Sequence, residues 1–161
     1  MKIPMTLATL VGAGFLTAIP TAHAASTHAS FAASCGGNPG QTITGTNKKD
    51  TLIGTPGDDV IRGFGGNDTI RGMGGNDTIV AGHGDDTVYG GGCDDRISGG
   101  EGDDHLYGDD GDDTMTGGAG KDRFWGEGGD DRMRGDAGFD RAKGGIGANF
   151  CDNTVETPVD C

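Results

Sequence analysis

One apolar residue recurs at every ninth position along most of the chain. Counted from Gly45, residues 45–152 divide into twelve nonapeptides without an insertion or deletion. Position 8 of these copies is occupied by Leu52, Ile61, Ile70, Ile79, Val88, Ile97, Leu106, Met115, Phe124, Met133, Ala142 and Cys151. This register is too long and too regular to arise by chance, so we take the repeat as the unit of the fold.

The other half of each copy is rich in glycine and aspartate. Position 1 is Gly in eleven copies, with Ala81 as the exception, and position 4 is Gly in ten, with Lys48 and Cys93 as the exceptions. Position 6 is Asn149 in the last copy and Asp in the others: Asp50, Asp59, Asp68, Asp77, Asp86, Asp95, Asp104, Asp113, Asp122, Asp131 and Asp140. A glycine-rich segment suits a turn, and the segment around the apolar residue suits a brief strand. Each nonapeptide therefore predicts one turn and one strand.

A single apolar side chain per nonapeptide cannot bury itself. Two strands that face each other across a coil, stacked on identical coils, would bury a narrow ladder of these side chains. Each coil then takes 18 residues, and the twelve nonapeptides predict six coils. At a strand spacing of about 4.8 Å, the stack is about 29 Å long.

The copies "GFGGNDTIR", "GMGGNDTIV" and "AGHGDDTVY" resemble the G-G-x-G-x-D-x-U-x nonapeptides of the RTX, or haemolysin-type, calcium-binding proteins. The resemblance implies an all-β fold, a right-handed parallel β-roll, which is a β-helix-like solenoid of about six 18-residue coils. It also implies Ca²⁺ ions in the turns, held by Asp carboxylates and backbone carbonyls of successive turns.

The chemistry of the turns agrees with calcium as the cofactor. Ca²⁺ prefers six to eight oxygen ligands, and columns of carboxylates at coil spacing would repel one another without a counter-ion. The two edges of the stack would hold up to about nine ions. Asp50 and Asn149 lie in the first and last copies, whose sequences depart from the repeat as those of end caps do, and they are weak candidates. The remaining candidate metal ligands are Asp59, Asp68, Asp77, Asp86, Asp95, Asp104, Asp113, Asp122, Asp131 and Asp140.

The N-terminus has the pattern of a secretory signal peptide. Lys2 is followed by a mostly apolar run over residues 5–19, too short to span a bilayer, and by the small-x-small sequence Ala22-His23-Ala24. We therefore expect residues 1–24 to be a signal peptide, 25–44 an N-terminal cap, 45–152 the calcium-binding roll and 153–161 a C-terminal cap tail. The expected location is extracellular.

Charge and cysteine content fit an exported cation-binding chain. The formal net charge is −13, and it becomes −14 when Lys2 is removed with the signal peptide. Such acidity argues against nucleic acid as a partner and favours cations.

Export favours disulfides. The short loop between Cys151 and Cys161 favours that pair, and Cys35 could reach Cys93 if residues 36–44 run along the edge as a strap; otherwise Cys93 is free and inert.

The outward positions 7 and 9 carry most of the basic residues, and Tyr89, Tyr107 and Trp125 form a column 18 residues apart. This column either stiffens the roll by stacking or docks sugar rings. His83 and His105 lie in separate copies with no pocket or nucleophile implied, so we do not expect an enzyme.

The function predicted is a secreted calcium-binding protein that its ions stabilise. The alternative is a calcium-dependent cell-envelope or extracellular-matrix adhesion module that uses the aromatic face and has a polysaccharide or cell-surface partner. An ice-binding roll ranks last, because Arg, Tyr and Trp interrupt any flat array of threonines.

Overall fold

The computed structural model describes residues 35–36, 39–152 and 154–161. The expected signal peptide, residues 1–24, lies outside these residues. Within them the chain forms strands joined by tight turns: β1 Pro39–Thr44, β2 Thr51–Ile53, β3 Asp58–Gly65, β4 Thr69–Gly74, β5 Thr78–His83, β6 Thr87–Gly92, β7 Arg96–Glu101, β8 His105–Asp110, β9 Thr114–Gly120, β10 Arg123–Gly128, β11 Arg132–Gly138, β12 Asp140–Ile146, β13 Phe150–Cys151 and β14 Val155–Val159. This part of the chain has no helix of the length and apolarity that crossing a membrane requires.

The strands form two seven-stranded parallel sheets, one from the odd-numbered and one from the even-numbered strands. Within the repeats each strand pairs with the next strand of its own sheet 18 residues away, so that Ile61 pairs with Ile79 and Val88 with Leu106. The chain is a right-handed parallel β-roll, as predicted. It has about seven turns rather than six, because β1 and β14 continue the stack beyond residues 45–152.

The strands are longer than the repeat pattern predicts. Strand β4, Thr69–Gly74, covers positions 7 to 9 of one nonapeptide and positions 1 to 3 of the next. The prediction that the whole glycine-rich half forms a turn is therefore wrong, and only positions 4 to 6 turn. The hydrogen-bonded ladder is interrupted at the position-1 glycine. Between β10 and β12, for example, the pairing passes from Trp125 with Lys143 to Glu127 with Gly145 and omits Gly126.

The interior between the two sheets is one side chain deep. Position 8 supplies nearly all of it, as predicted, and positions 6 and 1 also point inward. The buried apolar cluster consists of Ile61, Ile70, Ile79, Ala81, Val88, Ile97, Leu106, Met115, Phe124, Met133, Ala142 and Val155.

Two disulfides join Cys35 to Cys93 and Cys151 to Cys161, with Cα–Cα separations of 5.6 Å in both. The predicted pairing is confirmed. The expected strap over residues 36–44 is shorter than predicted, because Pro39–Thr44 is a regular strand whose Ile43 pairs with Ile61. Packing of Ile43 against the core holds this segment in the stack.

Candidate metal-binding turns

The position-6 aspartates are buried at the two edges of the roll. Position 6 points inward where each turn closes onto a strand, and these side chains are at most 2% exposed. The group comprises all ten predicted ligands: Asp59, Asp68, Asp77, Asp86, Asp95, Asp104, Asp113, Asp122, Asp131 and Asp140. Burying a carboxylate is costly unless hydrogen bonds or a cation compensate it.

One oxygen of each carboxylate is used by the backbone. The Oδ1 atom accepts a hydrogen bond from the backbone N–H of the residue 18 positions earlier, so that Asp95 N donates to Asp113 Oδ1 over 2.8 Å. The same bond joins successive members of both edges, and Asn149 continues it by accepting from Asp131 N over 2.9 Å. These bonds link adjacent coils and fix the orientation of every carboxyl group.

The second oxygen of most of these carboxylates is buried without a partner. Within the part of the chain that the structure describes, nine Oδ2 atoms have no hydrogen bond: those of Asp68, Asp77, Asp86, Asp95, Asp104, Asp113, Asp122, Asp131 and Asp140. An orphaned buried carboxylate oxygen is strongly unfavourable. Each of these oxygens therefore needs a bound proton or a cation to offset the cost of its burial.

Asp59 differs from the other nine predicted ligands. Its Oδ2 accepts a hydrogen bond from Thr55 N over 2.5 Å and from Thr55 Oγ1 over 3.1 Å. Thr55 occupies position 2, where every copy from Phe64 to Gly145 has a positive φ and Thr55 does not. The threonine at position 2 is the sequence signal for this difference, and the repeat pattern alone did not predict it.

Eight of the nine orphaned Oδ2 atoms lie beside the position-1 glycine of their own copy; the exception is that of Asp86, whose copy has Ala81 at position 1. A Cβ atom added to Gly108 would collide with Asp113 Oδ2 and would lie 2.9 Å from the carbonyl oxygen of Gly126, one coil further on. The same pair of oxygens surrounds the corresponding glycine in the copies of Asp68, Asp77, Asp95, Asp104 and Asp131. A carboxylate oxygen and a carbonyl oxygen thus meet where no side chain intrudes, and neither brings a proton donor.

Burial raises the pKa of these carboxyls. Desolvation is the main cause, and the neighbouring aspartates of the same edge add to it, although the backbone hydrogen bond opposes both. The pKa is raised to about 8 at Asp95 and Asp113 and to about 7 at Asp104. Without metal, Asp95, Asp104 and Asp113 would therefore hold protons near neutral pH, in the place that a cation could occupy.

The donors that meet in the turns fit calcium. Across residues 39–152 and 154–161, no three His, Cys, Asp or Glu side chains converge as an all-side-chain metal site. A softer metal that needs imidazole or thiolate ligands has no such set here. Calcium accepts one or two carboxylates completed by backbone carbonyls and water, which is the donor set that the turns offer.

A second ladder at the turns was not predicted from the sequence. Position 5 is Asp or Asn in most copies, and its Oδ1 accepts from the backbone N–H of the residue 18 positions later; Asp112 accepts from Asp130 N over 2.8 Å. The position-6 bonds run in the opposite direction along the stack. Recurrence of Asp and Asn at position 5 was the available signal, and these exposed residues stabilise the turns.

The aromatic column lies on the outer face of the even-numbered sheet. The rings of Tyr89 and Tyr107 stack with centroids 4.8 Å apart, and those of Tyr107 and Trp125 with centroids 4.4 Å apart. The Arg71 guanidinium covers the outer face of Tyr89 at 4.8 Å. The stacking predicted from the 18-residue spacing is therefore present. His83 is exposed and pairs with Glu101 over 3.1 Å, whereas Arg123 Nη1 donates a hydrogen bond to His105 Nε2 over 2.8 Å.

Comparison with known proteins supports the assignment of the turns as candidate calcium-binding sites. The family model of the RTX calcium-binding nonapeptide repeat matches overlapping segments at residues 44–79, 63–95, 71–106, 94–124, 107–142 and 125–153. No curated protein matches the chain. The matched segments run through more than half of the chain and coincide with the coils whose turns hold the buried aspartates. The β-roll of this family is a structural calcium-binding domain that is not typically catalytic. The chain therefore belongs to the family of RTX calcium-binding nonapeptide repeats.

Proposed function

We propose that this chain is a secreted protein that binds several Ca²⁺ ions in its turns and is stabilised by them. The observation that carries the proposal is the set of nine buried Oδ2 atoms that have no partner in the described part of the chain. Each such oxygen needs a positive charge, and the adjacent backbone carbonyl supplies further oxygen ligands of the kind that calcium prefers.

The number of ions follows from the number of spare oxygens. One ion for each orphaned Oδ2 gives up to about nine, at Asp68 and at every later position-6 aspartate as far as Asp140. Asp59 is a weaker ligand than the others, because Thr55 already donates two hydrogen bonds to its Oδ2. Calcium binding at Asp59 would have to displace these bonds.

Bound calcium would stabilise the roll through charge. In the calcium-free state each edge stacks buried carboxyls one coil apart, and their desolvation and mutual repulsion raise the cost of ionising them. A divalent ion between coils removes the repulsion and binds only the folded arrangement of oxygens. Binding free energy therefore becomes folding free energy.

Secretion and a non-catalytic role complete the proposal. The signal-like sequence of residues 1–24 supports export, and the pairing of all four cysteines fits an oxidising environment. Extracellular calcium then supplies the ions. The two histidines in the repeats are engaged with Glu101 and Arg123 on opposite sheets, which does not resemble a nucleophile and its base.

The test is to compare the chain in EDTA and in calcium. We expect circular dichroism to report gain of ordered β-structure or a higher melting temperature with Ca²⁺, and native mass spectrometry to count about nine ions. Identical spectra and melting temperatures with no bound metal would contradict the proposal.

Two neighbouring aspartates provide a matched pair of variants. Asp113→Asn keeps the Oδ1 acceptor but replaces the orphaned Oδ2 with an amide, so we expect loss of one bound ion. Asp112→Asn makes the same chemical change at an exposed position-5 residue and should leave the ion count unchanged. Equal ion counts in the two variants would show that position 6 does not supply the ligand.

A further inference from the structure

A groove lies on the outer face of the even-numbered sheet, away from the turns. It has a volume of about 460 Å³ and is formed where β10, β12 and β14 lie side by side. Each strand contributes two outward side chains, and the pairing register aligns them with the two of the neighbouring strand. These six lining residues are Arg123, Trp125, Arg141, Lys143, Thr157 and Val159.

The groove gathers three cations in a chain of net charge −13. Arg123 lies beside Arg141 on the next strand, and Lys143 follows Trp125 in the neighbouring column. Among the described residues none of these three cations forms a salt bridge. The nearby carboxylate of Glu156 is engaged elsewhere, since it accepts a hydrogen bond from Asp140 N. Arg141 also lies over the Phe139 ring at 5.8 Å and Arg123 contacts His105, but neither contact neutralises a charge, so the positive charge in the groove is available to an anion.

The groove also contains the end of the aromatic column, where one face of the half-buried Trp125 ring has no stacking partner among the described residues. Tyr89 lies between Arg71 and Tyr107, and Tyr107 lies between Tyr89 and Trp125, so the faces of both tyrosines are covered. One face of Trp125 stacks on Tyr107, and on the other side Trp125 pairs with Lys143 of the neighbouring strand. In the described structure no ring or guanidinium stacks on that second face. A ligand ring can therefore dock at Trp125 but not along the whole column.

Hydrogen bonding holds this end of the groove in place. Arg123 Nη1 lies 2.8 Å from His105 Nε2, and the His105 ring meets Trp125 edge-on with centroids 5.7 Å apart. The guanidinium is thus oriented beside the indole before a ligand arrives. Such ordering lowers the entropy lost on binding.

We propose that this groove binds an acidic carbohydrate, a pyranose that carries a carboxylate, as in a uronic acid polymer. The indole face takes the apolar face of the sugar ring, and the guanidinium groups take the carboxylate in forked hydrogen bonds, a geometry that suits arginine better than lysine. The Thr157 hydroxyl and the Lys143 ammonium are positioned to bond sugar hydroxyls.

The size and surroundings of the groove favour a sugar over a nucleic acid. The groove extends over three strands, about 10 Å, and its three cations lie on two of them, β10 and β12. A nucleic acid needs a longer basic track that pairs with successive phosphates, and on this chain it would next meet the acidic edges of the coils. A single carboxylated sugar unit fits within the groove.

The chain contains one tryptophan, so its fluorescence reports this groove directly. The calcium-loaded full chain would be titrated with a galacturonic acid trimer and with the neutral galactose trimer. We expect a saturable change with the acidic trimer and an affinity at least about tenfold weaker for the neutral one, because the neutral trimer loses a charged hydrogen-bonded pair.

Two double variants separate the groove from general charge. Arg141→Gln with Lys143→Gln should weaken binding of the acidic trimer by at least about tenfold. Arg62→Gln with Arg132→Gln, on the odd-numbered sheet, makes the same change in net charge and should alter affinity by less than about twofold. Ion counts and circular dichroism with calcium would establish that both variants are folded.

Several results would overturn the proposal: no fluorescence or calorimetric response to the acidic trimer, equal affinity for both trimers, or equal losses in the two double variants. Tighter binding of a short single-stranded oligothymidylate at the same residues would assign the groove to nucleic acid instead.

Discussion

At the scale of single residues, the glycines of the repeat serve two different purposes. At position 4 the backbone has a positive φ, and Cys93 adopts it with φ 82° where most other copies have glycine. At position 1 the backbone of Gly108 is outside that region, and glycine is favoured there because the carboxylate and a carbonyl oxygen occupy the space of a Cβ, although Ala81 takes this position in the copy of Asp86. Conformation explains the first requirement and room explains the second.

The requirement for room at position 1 can be tested with a methyl group. Gly108→Ala should push Asp113 Oδ2 and the Gly126 carbonyl apart, so we expect weakening of one calcium site, while Ala81 shows that the fold accepts a methyl group at position 1. Gly92→Ala adds the same methyl where nothing lies closer than 4.0 Å, and it should leave the ion count unchanged. Isothermal titration with calcium would measure both, and unaltered binding by Gly108→Ala would contradict the interpretation.

At the scale of the strand and turn, each element is half solvent-facing and half buried, and the buried half mixes apolar and ionisable groups. A strand such as β10, Arg123–Gly128, turns Phe124 and Gly126 inward and Arg123 and Trp125 outward. The aspartate of the preceding turn also points inward. The edges of the roll therefore depend on the protonation or metal occupancy of their carboxyls, whereas the apolar ladder between them does not.

This dependence predicts how pH acts on the calcium-free fold. Folding raises the pKa of Asp95 and Asp113 to about 8, whereas an unfolded aspartate titrates near its ordinary value of about 4. Between these values the folded state holds more protons than the unfolded state, so the free energy of unfolding falls as the pH rises. In EDTA we expect the melting temperature to decrease from about pH 5 to about pH 8.

Calcium should reverse that trend, because it binds the ionised carboxylates and competes with protons. With saturating Ca²⁺, the melting temperature should rise or stay constant over the same pH range. Thermal melts followed by circular dichroism, with and without EDTA, would measure both series. A calcium-free melting temperature that increases with pH would be inconsistent with buried, proton-holding aspartates.

At the scale of the whole described roll, each coil contacts the coils next to it, and two disulfides add longer or terminal constraints. Cys35–Cys93 closes a sequence separation of 58 residues and Cys151–Cys161 one of 10. The first ties the segment before β1 to a turn several coils away, and the second holds the C-terminal strand β14, Val155–Val159, near β13. The end coils are thereby attached to the stack, where they protect open sheet edges.

The two disulfides should differ in their contribution to stability. In the loop-entropy treatment, removing the crosslink costs about 4 kcal/mol for the 58-residue separation and about 2.5 kcal/mol for the 10-residue one. In each double variant, alanine replaces both cysteines of one pair. Position 93 has a positive φ with either residue, and both residues carry a Cβ, so Cys93→Ala removes the crosslink without changing the backbone strain. Urea unfolding in calcium would measure the difference, and a greater loss from Cys151→Ala with Cys161→Ala would contradict it.

Much of this molecule was determined by the sequence alone. In a roll, neighbours in space are residues 18 apart, so a strict nonapeptide register specifies which side chains stack, which point inward and which aspartates share an edge. The core ladder, the Tyr89, Tyr107 and Trp125 column and the family assignment all follow from that register. Limits on chain reach favoured the disulfide pairing but left open whether Cys93 is free, and the structure decides for the pair with Cys35.

The tertiary structure decided what the register leaves open. Rotamers and backbone torsions determine that Oδ2 rather than Oδ1 is spare, that Thr55 satisfies Asp59, and that the tyrosine faces are closed by stacking. The nonrepeating ends, β1 and β14, add a coil that no repeat count includes. These features depend on hydrogen bonds and contacts formed when coils pack, and a one-dimensional pattern specifies neighbours but not the orientation of their atoms.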